Sequence, residues 1–241
     1  PCMVMTCYML PKQFWAYNNN EKCHYNMYDY ADLLIVDEAG QISVEIGAIT
    51  FAFAQKAIVV GDERQIPPVW SIRKALDISM AIKNGVIESS EQYEKLEKMG
   101  LNCSQSSIMK IASLSSPYEK YGKGLFLSEH RRCYNEIIQY CNELVYGGNL
   151  EPLRGSFQKD DSNVIGDLLL PMNHVQVDTT YSQRVGTSRQ NKNEAEAIVE
   201  WIAENFPVIL ERYQLRAEAK QLEFNSKLVL GIITPFKSQS T

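Results

Sequence analysis

The sequence predicts an α/β protein with parallel sheets flanked by helices, and three observations lead to this fold class. Residues 33–36 and 57–60 are short, unbroken apolar runs, and each ends in an acidic or Gly-acidic turn. Continuous apolarity is typical of strands buried on both faces of a helix-covered parallel sheet. Apolar stripes at helical spacing alternate with such runs in both halves of the chain. The alternation predicts two lobes, at residues 1–122 and 123–241.

A charged insert at residues 73–120 is predicted to be helical and to belong to the first lobe. Ser89 and Gln92 have the spacing of a capping box, in which the two side chains close the N-terminus of a helix. Gly100 is suited to end a helix because glycine adopts left-handed backbone angles at little cost.

The second lobe is predicted to contain three strands and three helices. The helix that begins near residue 135 ends at Gly147 and Gly148, and Asn193 is the predicted cap of the next one. The predicted strands are residues 125–127, 175–177 and 228–233, and the predicted helices are about 135–146, 193–206 and from Pro207 onward.

Composition places the chain among ordinary globular proteins. It has 241 residues, of which 45% are hydrophobic and 22% charged, and its net charge is −5. That charge argues against a broad basic face for nucleic acid but is compatible with a motor that holds a strand in one local groove. No apolar run approaches the ~18 residues that a membrane helix needs, so no membrane partner is predicted. Because residue 1 is Pro, we expect an internal fragment of a longer protein.

Cysteine and histidine spacing predicts no structural zinc. The six cysteines form no Cys-x-x-Cys pair, and the three histidines are not at metal-ligand spacing. Since no secretion signal is present, reduced thiols in a cytoplasmic protein are the favoured interpretation.

The first motif that carries chemistry is Asp37 and Glu38, directly after the apolar run at residues 33–36. Ligands bind at the carboxyl ends of buried parallel strands. There the Asp can hold Mg²⁺ through water, and the Glu can orient and deprotonate an attacking water, which are two roles that phosphoryl transfer requires. The alternative is a strand-ending turn with two solvated acids.

The second motif, at residues 61–68, follows the second apolar run and contains Asp62 and Gln65 before Pro67 and Pro68. The Gln65 amide can touch both a phosphate and a water held by an acid, so it can report whether a γ-phosphate is present. The alternative is a plain loop after a strand.

These residues resemble a known family. Asp-Glu-Ala-Gly-Gln at residues 37–41 and Gly-Asp-x-x-Gln-Ile-Pro-Pro at 61–68 resemble helicase motifs II and III of superfamily 1. The closest branch is the 1B group, which holds the nonsense-mediated-decay RNA helicase and many bacterial DNA helicases and helicase-nucleases. Gly40 stands where Ser or Ala is common in that family.

The resemblance continues in the second half in the order that the family has. Residues 127–133 resemble motif IV and place Arg132 on the family arginine that reaches the γ-phosphate. Arg131 stands where Tyr is usual, so the alignment leaves open which of the two arginines has this role. Residues 142–150, 193–195 and 233–239 resemble three further family segments.

Parts of the family pattern are missing from these 241 residues. No Gly-x-x-x-x-Gly-Lys-Ser/Thr loop is present, and neither are motifs V and VI, which follow motif IV in the family. Both lobes are therefore expected to be incomplete, and this chain alone is expected to be inactive as an ATPase.

The resemblance implies two RecA-like P-loop NTPase lobes that bind ATP and Mg²⁺ between them and single-stranded DNA or RNA across the top. In that arrangement Asp37 would hold Mg²⁺ through water, Glu38 would activate the attacking water, and Gln65 would sense the γ-phosphate. Arg132 would stabilise charge in the transition state. The implied nucleotide-binding residues are Asp37, Asp62, Gln65 and Arg132, and the implied strand-binding residues are Thr234, Pro235 and Gln239.

The function that follows is that of a fragment of an ATP-dependent helicase or translocase that couples ATP hydrolysis to movement on single-stranded nucleic acid. DNA is the favoured strand, although no residue distinguishes it from RNA. One alternative is a metal-dependent nuclease module that uses Asp37, Glu38, Asp62 and Glu63. Another is a non-catalytic helicase-like scaffold. Nothing in the sequence indicates the oligomeric state.

An aromatic, Asn-rich segment near the start has two interpretations. It could stack bases of a single strand, or it could be a surface loop with partly buried rings, which is the favoured interpretation. Its residues include Trp15, Tyr17, Tyr25, Tyr28, Tyr30 and Asn18 to Asn20.

Overall fold

The computed structural model describes residues 2–120, 122–158, 164–177 and 181–239. The chain divides into two units, Pro1–Leu127 and Ser128–Thr241. This division lies a few residues after the lobe boundary that the sequence predicts.

The first unit is built on two small sheets. Strands β1 and β2 form an antiparallel ribbon, while β3 and β4 pair in parallel with Leu34 opposite Ala57 and Val36 opposite Val59. The strands are β1 Trp15–Asn18, β2 Cys23–Asn26, β3 Leu34–Val36 and β4 Ala57–Val59. The helices are α1 Leu10–Gln13, α2 Val44–Gly47, α3 Lys74–Lys83, α4 Tyr93–Lys98 and α5 Ile108–Ser115, with 3-10 turns at Ala39–Gln41, Ala48–Phe53 and Ser90–Gln92.

The parallel pair confirms the two predicted strands but corrects their expected burial. One face of β3 and β4 packs on the core of the unit, where Val36, Ala39 and Ile108 are buried together. On the other face Ile35 is 62% exposed and Ile58 is 50% exposed. Within the described residues this sheet has only two strands. Apolarity on both faces therefore does not guarantee that both faces are covered.

The insert is helical as predicted, in three separate helices. Ser107 caps α5 by accepting a hydrogen bond from the Lys110 N–H at 3.2 Å. Gly100, with φ +71°, ends the segment after α4 as expected. The predicted capping box is wrong, because the Ser89 side chain makes no cap bond and the Gln92 side chain instead accepts from the Glu88 N–H at 3.1 Å.

A buried polar cluster ties the insert together. The Asp77 carboxylate accepts hydrogen bonds from the Tyr93 hydroxyl at 2.6 Å and from the backbone N–H groups of Cys103 and Ser104 at 2.7 and 3.1 Å. Burial raises the pKa of Tyr93 to about 12, and the hydrogen bond to Asp77 adds to the rise. Three donors satisfy a carboxylate that would otherwise be costly to bury.

In the second unit, β5 and β6 pair in parallel and β7 and β8 pair as an antiparallel hairpin. Helix α6 continues as a π-helix over Asn142–Tyr146 and ends at Gly147, which has left-handed angles, as the sequence predicts. The elements are β5 Glu129–His130, α6 Asn135–Cys141, β6 Glu151–Pro152, β7 Gln183–Val185, β8 Ser188–Gln190 and α7 Lys192–Ala219, with 3-10 turns at Ser226–Leu228 and Lys237–Gln239.

The three predicted strands of this half are wrong. Residues 125–127, 175–177 and 228–233 are not strands, and Ile233 is 97% exposed. An apolar run becomes a strand only where another strand offers its N–H and C=O groups, and none pairs with these segments among the described residues.

The last two predicted helices, 193–206 and from Pro207 onward, form one continuous helix, α7. The cap of α7 is Asn191 rather than Asn193, and its side chain accepts from the Glu194 N–H at 3.4 Å. The helix runs through Pro207 to Ala219. Proline removes one N–H and crowds one carbonyl, at a cost of about 3 kcal/mol. The helix is continuous on both sides of Pro207, and Ile209 just after it is buried.

The described part of the chain is thus a mixed α/β structure with four two-stranded sheets. Among these residues no helix has both the length and the apolarity required to cross a membrane.

Candidate functional site

The turns that follow β3 and β4 lie side by side. The Val60 N–H donates to the Val36 carbonyl at 2.8 Å, and the Ala39 N–H donates to the Val60 carbonyl at 2.9 Å. The parallel ladder thereby extends past the ends of both strands. It brings the Asp37–Glu38 turn and the Asp62–Gln65 turn to the same edge of the sheet.

Two glycines allow this close approach. A Cβ atom added to Gly40 would lie 2.4 Å from the Asp62 carbonyl oxygen. One added to Gly61 would lie 2.8 Å from the backbone nitrogens of both Ala39 and Gly40. Gly40 departs from the family pattern noted above, and in this chain the space beside Asp62 admits no side chain.

Asp37 and Glu38 are exposed at this edge in a constrained turn. The Glu38 N–H donates to Asp37 Oδ1 at 3.0 Å, and the Gln41 side chain donates to Glu38 Oε2 at 3.3 Å. Glu38 has φ +52°, a left-handed conformation that costs a non-glycine residue roughly 1–2 kcal/mol. Strain of this kind persists where the surroundings hold it, often at functional sites.

Asp62 organises the second turn. Its Oδ1 accepts from the Arg64 N–H at 2.8 Å, and its Oδ2 accepts from the Gln65 side-chain amide at 3.3 Å. Pro68 is buried behind the turn, and the Trp70 indole donates to the Ser106 carbonyl at 2.8 Å. The orientation of the Gln65 amide is therefore set by a carboxylate next to it.

The donor set fits Mg²⁺ held mainly by water and phosphate oxygens. Mg²⁺ in nucleotide sites binds one or two carboxylates and keeps several waters. Asp37 is exposed and uses one oxygen for the Glu38 N–H. Among the described residues no group of three or more His, Cys, Asp or Glu side chains is placed to hold a metal ion.

The two arginines of the second unit differ. Arg131 makes two hydrogen bonds to Glu129 Oε2, from Nε at 3.1 Å and from Nη2 at 2.8 Å. The exposed Arg132 side chain has no ion pair or hydrogen bond within the described residues, while its backbone carbonyl accepts from Arg154. Arg132 is therefore the arginine whose guanidinium is available.

The predicted strand-binding residues lie at the end of the second unit. The side-chain amide of Gln239 is hydrogen-bonded to the backbone of Asn191, the N-cap of α7. Its Oε1 accepts from the Asn191 N–H at 2.5 Å, and its Nε2 donates to the Asn191 carbonyl at 2.9 Å. Thr234 Oγ1 accepts from the Phe236 N–H at 3.3 Å, and Pro235 is exposed. Binding of a strand by these three residues stays a prediction.

Sequence reasoning missed the supports behind the first turns. The Trp70 bond to Ser106 joins the segment after Gln65 to the loop before α5. Asp77 holds the same loop through Cys103 and Ser104. From the sequence alone, an isolated acid such as Asp77 within a charged helix is predicted to be exposed to solvent. The signal that could have indicated its buried role is the polar run at residues 102–107, which supplies its hydrogen-bond donors.

Half of the chain is similar in sequence to a known helicase/nuclease. The DNA replication ATP-dependent helicase/nuclease DNA2 of Xenopus laevis is 28% identical over 120 residues. This similarity links the chain to helicases. The matched region is 50% of this chain and 9% of the Xenopus protein, so the chain corresponds to a small part of that relative. No protein-family model matches the chain.

Proposed function

We propose that this chain is part of an ATP-dependent motor of the superfamily 1 helicase type, with two RecA-like lobes, that moves on single-stranded nucleic acid, DNA by preference. The observation that carries the proposal is the pair of interlocked turns at one edge of the β3–β4 sheet. They present an Asp–Glu pair and an Asp-held Gln together. The similarity to a helicase/nuclease supports the same function.

In this proposal each residue of the turns has one task. Bound ATP and Mg²⁺ supply the phosphoryl group and neutralise its charge. Asp37 would hold the metal ion through water, and Glu38 would orient the attacking water and accept its proton. The left-handed turn at Glu38, with the Gln41 contact on its carboxylate, fixes where that base points. Gln65, oriented by Asp62, would contact the γ-phosphate.

Arg132, which lies in the second unit, is the residue to which the family resemblance assigns the transition-state charge. A guanidinium without a side-chain partner in the described part of the chain can bind developing charge on a transferring phosphoryl group. Arg131, already paired with Glu129, is less suited to this role.

The nuclease alternative has less support. In the nuclease alternative, a Lys would have to lie close to the paired carboxylates on the same sheet. Glu218-Ala219-Lys220 is the chain's Glu-x-Lys sequence, and it lies at the end of helix α7 rather than on a strand. Divalent-metal cleavage of DNA without ATP would favour this alternative.

The test is Glu38→Gln in a protein that carries this chain together with a phosphate-binding loop. Loss of the general base is expected to lower ATP turnover by about 10²–10⁴-fold while ATP still binds. Glu63→Gln, an exposed acid in the neighbouring turn, is the matched control and should turn over ATP at the parental rate. A Glu38→Gln protein with parental turnover would remove Glu38 as the base. If the parent protein itself does not turn over ATP, the result would support a non-catalytic scaffold.

A further inference from the structure

The antiparallel ribbon of β1 and β2 carries a row of rings on one face. Tyr17 lies opposite His24, and Trp15 lies opposite Asn26. Directly opposed residues of an antiparallel pair project to the same face, and alternate residues of one strand do so as well. Trp15, Tyr17, His24 and Asn26 therefore share one face of the ribbon.

The rings of this face touch one another. The Trp15 and His24 rings are 4.4 Å apart between centroids and nearly perpendicular, at 86°. The Tyr17 and His24 rings are 5.1 Å apart and tilted by 58°. The three rings form one continuous aromatic surface, named here the ring face.

The ring face does not serve as core. The ribbon is attached at its base, where Phe14 contacts the buried Phe53 at 5.8 Å between ring centroids and the Met27 N–H donates to the Phe14 carbonyl at 3.0 Å. Beyond that base, Trp15 is 46% exposed and Tyr17 is 47% exposed. Every residue of β2 is exposed. A two-stranded ribbon is only marginally stable alone, and its half-exposed rings are accessible to a ligand.

The surroundings of the ring face suit nucleotides. An open surface depression of about 430 Å³ lies against Trp15, His24, Tyr25 and Asn26, and Asn side chains can both donate to and accept from the edge of a base. The charge of the ribbon itself is balanced, since residues 15–26 contain one cation, Lys22, and one acid, Glu21, whereas the chain as a whole carries −5. Lys22 stands in the turn of the ribbon, where it can meet a phosphate.

We propose that the ring face is a stacking site for the bases of single-stranded nucleic acid. The choice of ligand rests on the proposed function, and the location rests on the ribbon itself. Flat rings accept the π-face of any base, so binding would be tolerant of sequence, and the bases must be unpaired to reach the rings. The ring face belongs to the first unit, whereas residues 233–239, which the family resemblance assigns to strand binding, belong to the second.

The experiment measures binding of this chain to a fluorescein-labelled oligothymidylate of about 20 nucleotides, longer than the ~4–16 nucleotides that one small binding fold covers. Trp15→Ala and Tyr17→Ala are each expected to raise Kd by about 5- to 100-fold, the loss of one base–ring contact. Tyr140→Ala, which removes a ring that is 59% exposed on α6, is the matched control and should bind as the parent does.

A second variant separates loss of the ring from loss of folding. Trp15→Phe keeps an aromatic surface, so it should bind close to the parental Kd while the quenching of tryptophan emission by the oligonucleotide falls. Parental affinity in both alanine variants would overturn the ring face as a site. So would the absence of binding by the parent chain at about 10⁻⁴ M, the weak end of non-specific affinity. Neither result bears on Glu38, whose role is tested by ATP turnover alone.

Discussion

At the scale of single residues, adjacent side chains of the same type have different surroundings. Arg131 and Arg132 follow each other in the chain, yet Arg131 is paired with Glu129 and Arg132 has no side-chain partner within the described residues. The sequence alignment alone left their roles open. The pairing gives a physical reason to place the transition-state contact on Arg132.

We expect Arg132→Ala, in a protein with the complete phosphate site, to lower ATP turnover by about 10³–10⁵-fold with little change in the Kd for ATP, because such an arginine acts on transition-state charge. Arg131→Ala removes an exposed ion pair and should have a much smaller effect. Turnover and nucleotide binding are measured separately for each variant. A larger loss from Arg131→Ala would shift the assignment by one residue.

Tyr93 is a second residue whose surroundings decide its behaviour. Burial raises its pKa to about 12, and the hydrogen bond to Asp77 contributes to the rise. The neutral phenol is thus favoured in the folded state. Its stabilising contribution is complete below the unfolded pKa of about 10 and is lost as the pH rises toward 12, since the unfolded chain ionises first.

Tyr93→Phe should lower the free energy of unfolding by about 1 kcal/mol near neutral pH, because Asp77 loses one of three donors. As the pH rises from about 10 to about 12, the stability of the parent should fall toward that of the variant. Urea unfolding of both proteins across this range measures the difference. Curves that stay parallel would contradict the raised pKa.

At the scale of elements, the candidate site is a contact between two turns rather than a single motif. The backbone of Gly61 lies directly against Ala39 and Gly40, and the backbone of Gly40 lies against Asp62. The turn after β3 and the turn after β4 are therefore in direct backbone contact. A change in this contact is expected to alter the position of Glu38 relative to Gln65.

Gly61→Ala is expected to destabilise the first unit by about 1–3 kcal/mol, because the added methyl group meets backbone atoms that cannot rotate away. Gly231→Ala is the matched control, since a Cβ at Gly231 would have no neighbour within 4 Å. Denaturant midpoints of the two variants are compared with the parent. Equal midpoints for all three would show that the turns can separate without cost.

At the scale of the whole molecule, the proposed function gives this chain only one side of a phosphoryl-transfer site. In that proposal the chain would supply acids for a metal ion and a water, but its 241 residues contain no Gly-rich loop with a Lys to hold the phosphates. Positioning is most of what such an enzyme contributes. The exposed face of β3 and β4 carries Ile35 and Ile58, which are 62% and 50% exposed, and apolar side chains left in water favour association.

We therefore expect the purified chain not to hydrolyse ATP above the rate of its Glu38→Gln variant, with single-stranded DNA or RNA present. Phosphate release at matched protein concentrations is the measurement. Turnover well above that variant would reveal a phosphate site that neither the sequence nor the turns indicate.

Local sequence was sufficient where a feature depends on few neighbours. The apolar runs at residues 33–36 and 57–60 did form paired parallel strands, and Gly100 and Gly147 did end their helices. The placement of the acids and Gln65 at one edge of the sheet could be predicted because the strand-end turns of a parallel sheet meet there. Backbone preference and apolarity are properties of each segment, so they could be read without the rest of the chain.

The tertiary structure determined the features that depend on contacts with other segments of the chain. The run at residues 228–233 is as apolar as β3, yet it is not a strand and has no pairing partner among the described residues. Helix α7 begins at Lys192 with Asn191 as its cap and continues through Pro207. Arg131 is paired with Glu129, and the Trp15 and Tyr17 rings of the ring face are half-exposed. The hydrophobicity of the sequence indicates which side chains tend to be buried, but only the tertiary structure determines which other segments pack against them.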